Sequence, residues 1–278
     1  MMIGIRAHDV AYAPLEELIP NIHKQGFHCM HIALNKSIKE FKTDLCTMTP
    51  GLAMYMKELC QDNHVDVAVL GCYKNLCNPD EEQHKKIVEQ YKAHIRFAAV
   101  LGAGVVGTET GAVNKEYKYE EANHSEEALQ LFIKNLRPIV KYAEQFGVIV
   151  AIEPVWKHIV YTVERARQVL DAIDSPNLRI IFDPVNLLCP ENLDQQDEII
   201  EKAFDLLRDE IAVVHCKDYE LVDGELVSIA AGTGHLNYPL LLKKVKEYKP
   251  YVHCTLENTV PENAIATREF MEKTYAEA

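Results

Sequence analysis

The chain has 278 residues, of which 48% are hydrophobic, and its formal net charge is −13 at pH 7. This length suits one large domain or two small ones, and the hydrophobic fraction is enough for a substantial core. Nucleic-acid affinity depends mainly on Lys and Arg side chains that neutralise phosphates, so the acidic balance disfavours a nucleic-acid partner and favours a small-molecule substrate.

Eight short apolar runs recur along the chain, and a helical pattern follows each of them. The runs are nearly continuous in Val, Ile, Ala and Leu, which is typical of parallel strands that are buried on both faces. The predicted strands are Ile3–Ala7, His28–Leu34, Val65–Cys72, Val105–Thr108, Val148–Glu153, Leu178–Asp183, Ala212–Lys217 and Tyr251–Glu257.

The segments between these runs have the apolar spacing of helices. In "HSEEALQLFIKNLRPIVKYAEQFG", Ser125 is a predicted N-cap, Gly147 stands where a glycine ends a helix, and Pro138 could kink the helix between them. Thr162 is the predicted cap of the next helix. The stretches "DQQDEIIEKAFDLLRDE" and "YPLLLKKVKEY" predict the helices of later units.

Eight strand–helix units without a break in composition predict an α/β fold, a (β/α)8 barrel that forms a single domain over residues 1–278. A doubly wound open sheet is the alternative, but the chain has neither G-x-G-x-x-G after its first strand nor a P-loop. Long connections follow several predicted strands, at 35–50, 73–81, 110–124 and 189–194. In a barrel these loops build the face that carries the active site.

The eight cysteines predict no disulfide framework. Cys29, Cys72, Cys216 and Cys254 lie inside apolar, strand-like runs, and the chain has no C-x-x-C pair. The N-terminus lacks the basic and apolar regions of a signal peptide, and no run approaches the length of a membrane span. We therefore expect a reduced, cytoplasmic protein with no membrane partner. A homo-oligomer is compatible with the sequence.

Four polar residues stand at the ends of the last four predicted strands: Glu153, Asp183, His215 and Glu257. Neighbouring barrel strands lie about 4.8 Å apart, so four inward side chains at one height can converge on one point. A single such residue would more often be a helix cap or a loop anchor, but four equivalent placements favour a common site. Three carboxylates and one imidazole suit one divalent ion, with Mn²⁺, Mg²⁺ or Co²⁺ favoured over Zn²⁺.

The stretches around these residues resemble a known family. "AIEP", "FDPVN", "VHCKD", "AAGTGHLNYPLLL" and "TLEN", in this order, are similar to the sugar phosphate isomerase/epimerase group of the xylose-isomerase-like TIM barrels. The resemblance implies that the Glu–Asp–His–Glu set binds one divalent metal, and that Glu153 and Glu257 form the catalytic acid/base pair. The Gly232–Gly234 stretch resembles the family's G-x-G segment, whose glycines we expect to shape a tight loop.

The same superfamily includes zinc-dependent endonucleases that act at abasic DNA sites with three zinc ions and several more histidines. This chain has Asn186 three residues after Asp183 and no D-x-H pair after His215, so it lacks those ligands. Ketose 3-epimerases of the family also tend to have histidine at the position of Asn186. The substrate therefore stays open.

A metal beside two carboxylates suits proton abstraction next to a carbonyl. The main hypothesis is a metal-dependent isomerase or epimerase of a sugar or polyol, acting through a metal-stabilised enediolate. The first alternative is a lyase that dehydrates a keto-inositol or a related keto sugar. The second is a barrel that binds a sugar without turning it over, which would have no need for paired carboxylates on a metal.

Other residues are expected around the substrate. The predicted substrate-binding residues are Glu109, His158, Asn186 and Lys217, and His8, Tyr73 and Asn75 are candidates for the pocket wall. Trp156 could stack on a sugar, although packing is the simpler interpretation. We interpret His28 and His31 as ordinary barrel packing rather than as a second metal site.

Overall fold

The computed structural model describes every residue from Met1 to Ala278. It contains ten strands: β1 (Met2–Arg6), β2 (Cys29–Ile32), β3 (Asp66–Gly71), β4 (Val105–Glu109), β5 (Val150–Glu153), β6 (Leu178–Phe182), β7 (Ile211–Cys216), β8 (Asp218–Val222), β9 (Glu225–Ile229) and β10 (His253–Leu256). Eight of them form a closed parallel barrel in the order β1-β10-β7-β6-β5-β4-β3-β2. The predicted (β/α)8 barrel is confirmed, and the open sheet is excluded because β1 pairs with both β2 and β10.

Helices follow every barrel strand and cover the outside of the barrel. They are α1 (Leu15–Lys24), α2 (Leu34–Ser37), α3 (Pro50–Asp62), α4 (Glu81–Leu101), α5 (Glu126–Phe146), α6 (Val163–Ile173), α7 (Gln196–Leu207), α8 (Tyr238–Tyr248) and α9 (Ala264–Glu277). None of them combines the length and the hydropathy needed to cross a membrane.

The predicted caps of α5 and α6 are confirmed. The Ser125 hydroxyl accepts a hydrogen bond from the backbone N–H of Ala128, and Thr162 accepts one from Arg165. Gly147 ends α5 with a φ of 65°, a left-handed conformation that glycine adopts without steric cost. Pro138 lies inside α5 without ending it.

The strands β8 and β9 form an antiparallel hairpin that is absent from the eight predicted strands. Its turn is Asp223–Gly224, and both residues have positive φ (52° and 84°), as a type I′ turn requires. Asp-Gly is a strong hairpin signal, but the flanking strands are short and largely exposed. The hairpin is inserted between β7 and α8, directly after the end of a barrel strand.

A small cluster of buried apolar side chains fills the inside of the barrel. It includes Val69 of β3 and Ile181 of β6. Both side chains come within 2.6–2.8 Å of the position that a Cβ atom on Gly107 of β4 would take, so side chains from non-neighbouring strands meet across the interior. A larger cluster of 73 buried residues includes the helix faces that pack on the outside of the barrel. This packing fixes the height and direction of the residues at the strand ends.

Candidate metal centre

The register of the strands brings the four predicted ligands to one level of the barrel. Glu153 ends β5, Asp183 follows β6, His215 lies near the end of β7 and Glu257 follows β10. All four side chains are buried, and one donor atom from each lies within 4.8 Å of the others. The structure therefore brings together the set that the sequence predicted to bind a metal.

The imidazole of His215 lies between two of the carboxylates. Its Nδ1 atom is 3.0 Å from Oε1 of Glu153 and 3.3 Å from Oε1 of Glu257. Oδ1 of Asp183 accepts hydrogen bonds from the backbone N–H groups of Val185 and Asn186, which fixes this carboxylate at the end of β6. Its other oxygen, Oδ2, lies 2.9 Å from Nζ of Lys217.

These contacts shift the pKa values of the cluster in opposite directions. Burial alone would lower the pKa of His215, but the adjacent Glu153 and Glu257 outweigh it and raise this pKa to about 9. Burial opposes ionisation of Glu257, yet His215, His31, Lys217 and Arg6 hold its pKa well below the usual range. His215 likewise overcomes burial to lower the pKa of Glu153. In a metal-free protein the two glutamates are thus ionised beside an imidazolium.

The donor set fits a divalent cation. Three buried carboxylates repel one another unless positive charge lies among them, and Oδ2 of Asp183 faces the ammonium of Lys217 at 2.9 Å. Oxygen donors dominate, so Mg²⁺ and Mn²⁺ fit, and the imidazole also allows Zn²⁺. Glu153, Asp183, His215 and Glu257 are the residues that would hold the ion.

Lys217 and Asn186, two of the predicted substrate-binding residues, form a polar network beside this cluster. Nζ of Lys217 donates a 2.6 Å hydrogen bond to Oδ1 of Asn186, and Nδ2 of Asn186 donates a 2.7 Å bond to Oε1 of Glu153. Burial would lower the pKa of Lys217, but Asp183 and Glu257 outweigh it and raise this pKa above its ordinary value. Lys217 is therefore a fixed positive charge next to the carboxylates.

Glu109 lies at the rim of a cavity that opens next to the four-residue cluster. Its Oε2 accepts a 3.0 Å hydrogen bond from the hydroxyl of Tyr117, and burial, reinforced by Glu153, raises its pKa to about 7. Nδ1 of His158 is 3.9 Å from this oxygen, and the His158 ring stacks on Tyr117. Glu109 faces the cavity, whereas His158 lies behind it and contacts Glu109 and Tyr117.

The cavity has a volume of about 350 Å³ and opens next to the four-residue cluster. Tyr73 and His8 line it, as predicted, and the Tyr73 hydroxyl donates a 3.3 Å hydrogen bond to Oε2 of Glu153. Ser228 of the hairpin also lines it, so β9 closes one side of the pocket. Asn75, predicted for the pocket wall, is not among the residues that line the cavity. Its Oδ1 accepts from the backbone N–H groups of Cys77 and Ala112, so it braces two loops behind the pocket.

Trp156 lies outside this cavity and stacks on Tyr119, with ring centroids 4.9 Å apart. Packing is therefore its observed role. The glycines of the G-x-G segment also have a structural role. The backbone N–H groups of Gly232 and Gly234 both donate to Oδ2 of the buried Asp218, so they are not free to bind a phosphate.

Two residues of the site, Arg6 and His31, were not predicted from the sequence to belong to it. Arg6, at the end of β1, places Nη1 3.6 Å from Oε2 of Glu257. His31, near the end of β2, places Nδ1 3.5 Å from Oε1 of the same carboxylate. The interpretation of His31 as ordinary packing is incomplete, because its ring faces the cluster and stacks on His215. Both residues stand near the C-terminal ends of barrel strands, and this position is the feature of the sequence that could have assigned them to the site.

The family model described as "xylose isomerase-like TIM barrel" matches residues 19–274. The chain therefore belongs to the xylose isomerase-like TIM barrel family. It is 28% identical over 232 residues to the uncharacterized protein MJ1311 of Methanocaldococcus jannaschii, a match that covers 81% of this chain and 75% of that protein.

Solved structures share the fold over nearly the full length. A D-tagatose 3-epimerase-like protein superposes with a TM-score of 0.78 at 23% identity, covering 99% of this chain and 97% of the other. The probable 3-DHS dehydratase AsbF of Bacillus anthracis superposes with a TM-score of 0.74 at 15% identity, covering 99% of both chains. At these identities the likeness establishes the fold alone.

Proposed function

We propose that this protein is a divalent-metal-dependent isomerase or epimerase that moves a proton next to the carbonyl of a sugar or polyol. The observation that carries this proposal is the convergence of Glu153, Asp183, His215 and Glu257 within 4.8 Å at the mouth of the barrel. The epimerase-like fold match supports it. A pure binding protein would have no need for buried, like-charged carboxylates at the floor of its pocket.

Such a reaction needs stabilisation of negative charge and a group that moves the proton, and the cluster supplies both. A divalent ion held by these residues supplies Lewis acidity towards the negative charge that develops on a substrate oxygen. Lys217 adds a second positive charge on the same side, fixed by Asp183 and Asn186. Asp183 is itself held by two backbone N–H groups, so its role is to hold the ion rather than to move a proton.

Glu153 and Glu257 are the proposed proton-transfer groups. They flank Nδ1 of His215 at 3.0 Å and 3.3 Å and both line the cavity. Both stay ionised near neutral pH, so each can accept a proton from carbon. Use of both carboxylates would invert a stereocentre, whereas one carboxylate working on one face would exchange an aldose with a ketose.

The cavity has the size and polarity for a small polyhydroxylated molecule. Its volume of about 350 Å³ lies within the range of small-molecule sites. Arg6, His8, Glu109 and Asn258 surround the cluster with donors and acceptors for hydroxyl groups. The free state of all eight cysteines supports the proposal that the protein works in the cytoplasm.

A dehydratase is the second candidate, and Glu109 favours it. A β-hydroxyl leaves as water only if a nearby acid donates a proton. Glu109 has a pKa of about 7 and faces the cavity, so a substantial part of it is protonated near neutral pH. The fold match to a probable dehydratase agrees with this alternative.

The test is a proton-exchange screen in D₂O with Mn²⁺ over a panel of ketoses and inososes. We expect deuterium to enter the carbon next to the carbonyl of at least one compound, and the exchange to stop in the presence of a chelator. The product then identifies the reaction. An epimer indicates epimerisation, an aldose indicates isomerisation, and an unsaturated product indicates dehydration. The matched control is Glu198→Gln on the surface of α7, which should exchange like the parent. Metal-independent exchange, or none with any compound, would overturn the proposal.

A further inference from the structure

A second cavity opens beside the one that borders the four-residue cluster. Its volume is about 290 Å³, and its wall comes from α2, from the loop that follows α2, from the end of β3 and from α4. Ala33, Lys36 and Tyr73 line both cavities, and the Tyr73 hydroxyl donates a hydrogen bond to Glu153. The second cavity is therefore a direct neighbour of the proposed proton-transfer site.

Two lysine side chains in the second cavity have no partner in the protein. Lys36 lies in α2 and Lys74 follows β3. Neither ammonium group forms an ion pair or a hydrogen bond, whereas Nζ of Lys217 in the first cavity lies 2.9 Å from Oδ2 of Asp183. Lys74 is half-buried, and a charged group that loses water without gaining a partner is destabilised. The unpaired lysines therefore call for an anion.

The one carboxylate in the wall of the second cavity does not neutralise these lysines. Oδ2 of Asp44 lies 2.8 Å from Nζ of Lys42, which is exposed and outside the cavity, and Oδ1 accepts a hydrogen bond from the backbone N–H of Cys46. The charges of Lys36 and Lys74 thus stay uncompensated in a chain whose net charge is −13. A cleft lined by charge of one sign concentrates ligands of the opposite sign.

Both lysines act on side chains inside the cavities. Burial lowers the pKa of His8 in the first cavity to about 3, and the charge of Lys36 contributes to this shift. Burial also lowers the pKa of His94 in the second cavity, against the effect of its hydrogen bond to a backbone carbonyl, and Lys74 contributes to the lowering. The two ammonium groups are therefore close enough to the cavities to act on a ligand that is bound there.

The side chains that line the two cavities differ in charge. Glu109, Glu153 and Glu257 line the first cavity, and its cations, Arg6 and Lys217, already contact carboxylates. A substrate with one anionic group is repelled by the glutamates and attracted by the unpaired lysines of the second cavity. Its anionic end is thus drawn into the second cavity, while its carbonyl end stays beside the four-residue cluster.

We propose that the second cavity is a subsite for an anionic group of the substrate, which Lys36 and Lys74 bind. The inference rests on the proposed function, because it names the substrate class of the same site. The substrate is then a ketose or polyol that carries a carboxylate or a phosphate remote from its carbonyl. The oxygen atoms of either group form charge-assisted hydrogen bonds with ammonium. Thr43 and Gln90 in the same wall offer neutral hydrogen-bonding groups.

Matched sets of compounds test this preference. Each set contains a neutral ketose, the same ketose with a terminal phosphate, and its counterpart with a terminal carboxylate. Deuterium exchange in D₂O with Mn²⁺ gives kcat/KM for each compound. We expect at least one anionic member to exceed the neutral member of its set by about 10-fold or more, the usual contribution of a hydrogen bond to a charged group. The preferred member shows whether the subsite takes phosphate or carboxylate.

Removal of single charges locates the effect. Lys36→Gln and Lys74→Gln should each lower the preference for the anionic member by about 10-fold, through a higher KM. Lys57→Gln is the matched control, because this lysine of α3 also forms no ion pair but lines a separate cavity at the start of β3. The control variant should keep the preference of the parent.

Binding of inorganic phosphate gives a measurement that is independent of turnover. Calorimetric titration of the metal-free protein at low ionic strength should show saturable binding, weakened at least about 10-fold when Lys36→Gln and Lys74→Gln are combined. Equal exchange of neutral and anionic members, or equal phosphate affinity of the parent and the double variant, would overturn the inference and leave the proposed function standing. No exchange with any compound, neutral or anionic, would overturn the proposed function itself.

Discussion

Nδ2 of Asn186 donates a 2.7 Å hydrogen bond to Oε1 of Glu153. The same side chain accepts a 2.6 Å bond from Lys217 at its Oδ1 atom, so one amide links a proposed proton-transfer carboxylate to a buried lysine. This is the position at which the family resemblance leads one to expect histidine in ketose 3-epimerases. In this protein the asparagine orients two neighbours at once, a task that needs a donor and an acceptor on the same side chain.

We expect Asn186→Leu to lower turnover by about 10–100-fold, because it keeps the branched shape of the side chain but releases both Glu153 and Lys217. Steady-state kinetics on the substrate found in the exchange screen would measure this effect. The control is Asn63→Leu, since this asparagine bonds only to a carbonyl in its own helix. Parent-like turnover in Asn186→Leu would show that the network does not orient the catalytic groups.

We expect Glu153→Gln and Glu257→Gln each to lower turnover by about 10²–10⁴-fold, the usual contribution of a positioned acid or base. Both variants keep an oxygen ligand, so calorimetric titration should show that much of the metal affinity remains. His215→Ala should instead weaken metal binding and recover part of its activity at high metal concentration. If a glutamine variant exchanges the substrate proton at the parent rate, the glutamate that it replaces is only a metal ligand.

Metal binding should depend on pH through His215. In metal-free protein its pKa is about 9, above the ordinary 6.5 of the unfolded chain. The charged imidazole therefore stabilises the metal-free fold fully below about pH 6.5, and this contribution is lost as pH rises through 9. A cation must displace that proton, so metal affinity should rise over the same window.

The proton release can be measured directly. Calorimetric Mn²⁺ titrations at pH 7.5 in two buffers of different ionisation enthalpy should show about one proton released per ion. His215→Ala should release none from this position. Equal heats in both buffers for the parent protein would contradict the raised pKa of His215.

We expect Gly71→Ala to destabilise the fold by about 1–3 kcal/mol, the usual effect of overpacking a core. The added Cβ would lie 2.9 Å from both Nε2 of His31 and a ring carbon of Tyr73, and both of these residues line the cavity. Urea denaturation measures the loss. Gly51→Ala is the control, since its Cβ would meet nothing closer than 3.9 Å in the first turn of α3.

We expect Asp218→Asn to destabilise the fold by about 2–3 kcal/mol, because it disrupts a charged acceptor for several backbone donors. The buried carboxylate accepts from the N–H groups of Tyr219, Gly232, Gly234 and Leu236. Asp223→Asn, in the exposed hairpin turn, should stay within about 0.5 kcal/mol of the parent. Equal stability of the two variants in thermal denaturation would show that Asp218 does not anchor the G-x-G loop.

The sequence by itself determined the barrel and the four-residue cluster. Strands buried on both faces leave continuous apolar runs, and a polar residue that ends such a run stands out from it. Because parallel strands end at one face of a barrel, Glu153, Asp183, His215 and Glu257 could be assigned to one site from their positions alone. The caps Ser125 and Thr162 were equally visible, because they act within one turn of the chain.

Only the tertiary structure decided which other side chains meet this cluster. The register between β2 and β3 shifts after Met30, so that His31 pairs with Val69, and Gly71 leaves room for its ring. Such a shift is set by packing across the whole barrel and leaves no local signal. The link from Lys217 through Asn186 to Glu153 likewise joins three separate strand ends. Periodicity shows which residues a strand buries, but the partners of a buried polar atom depend on register and closure, which are properties of the folded barrel.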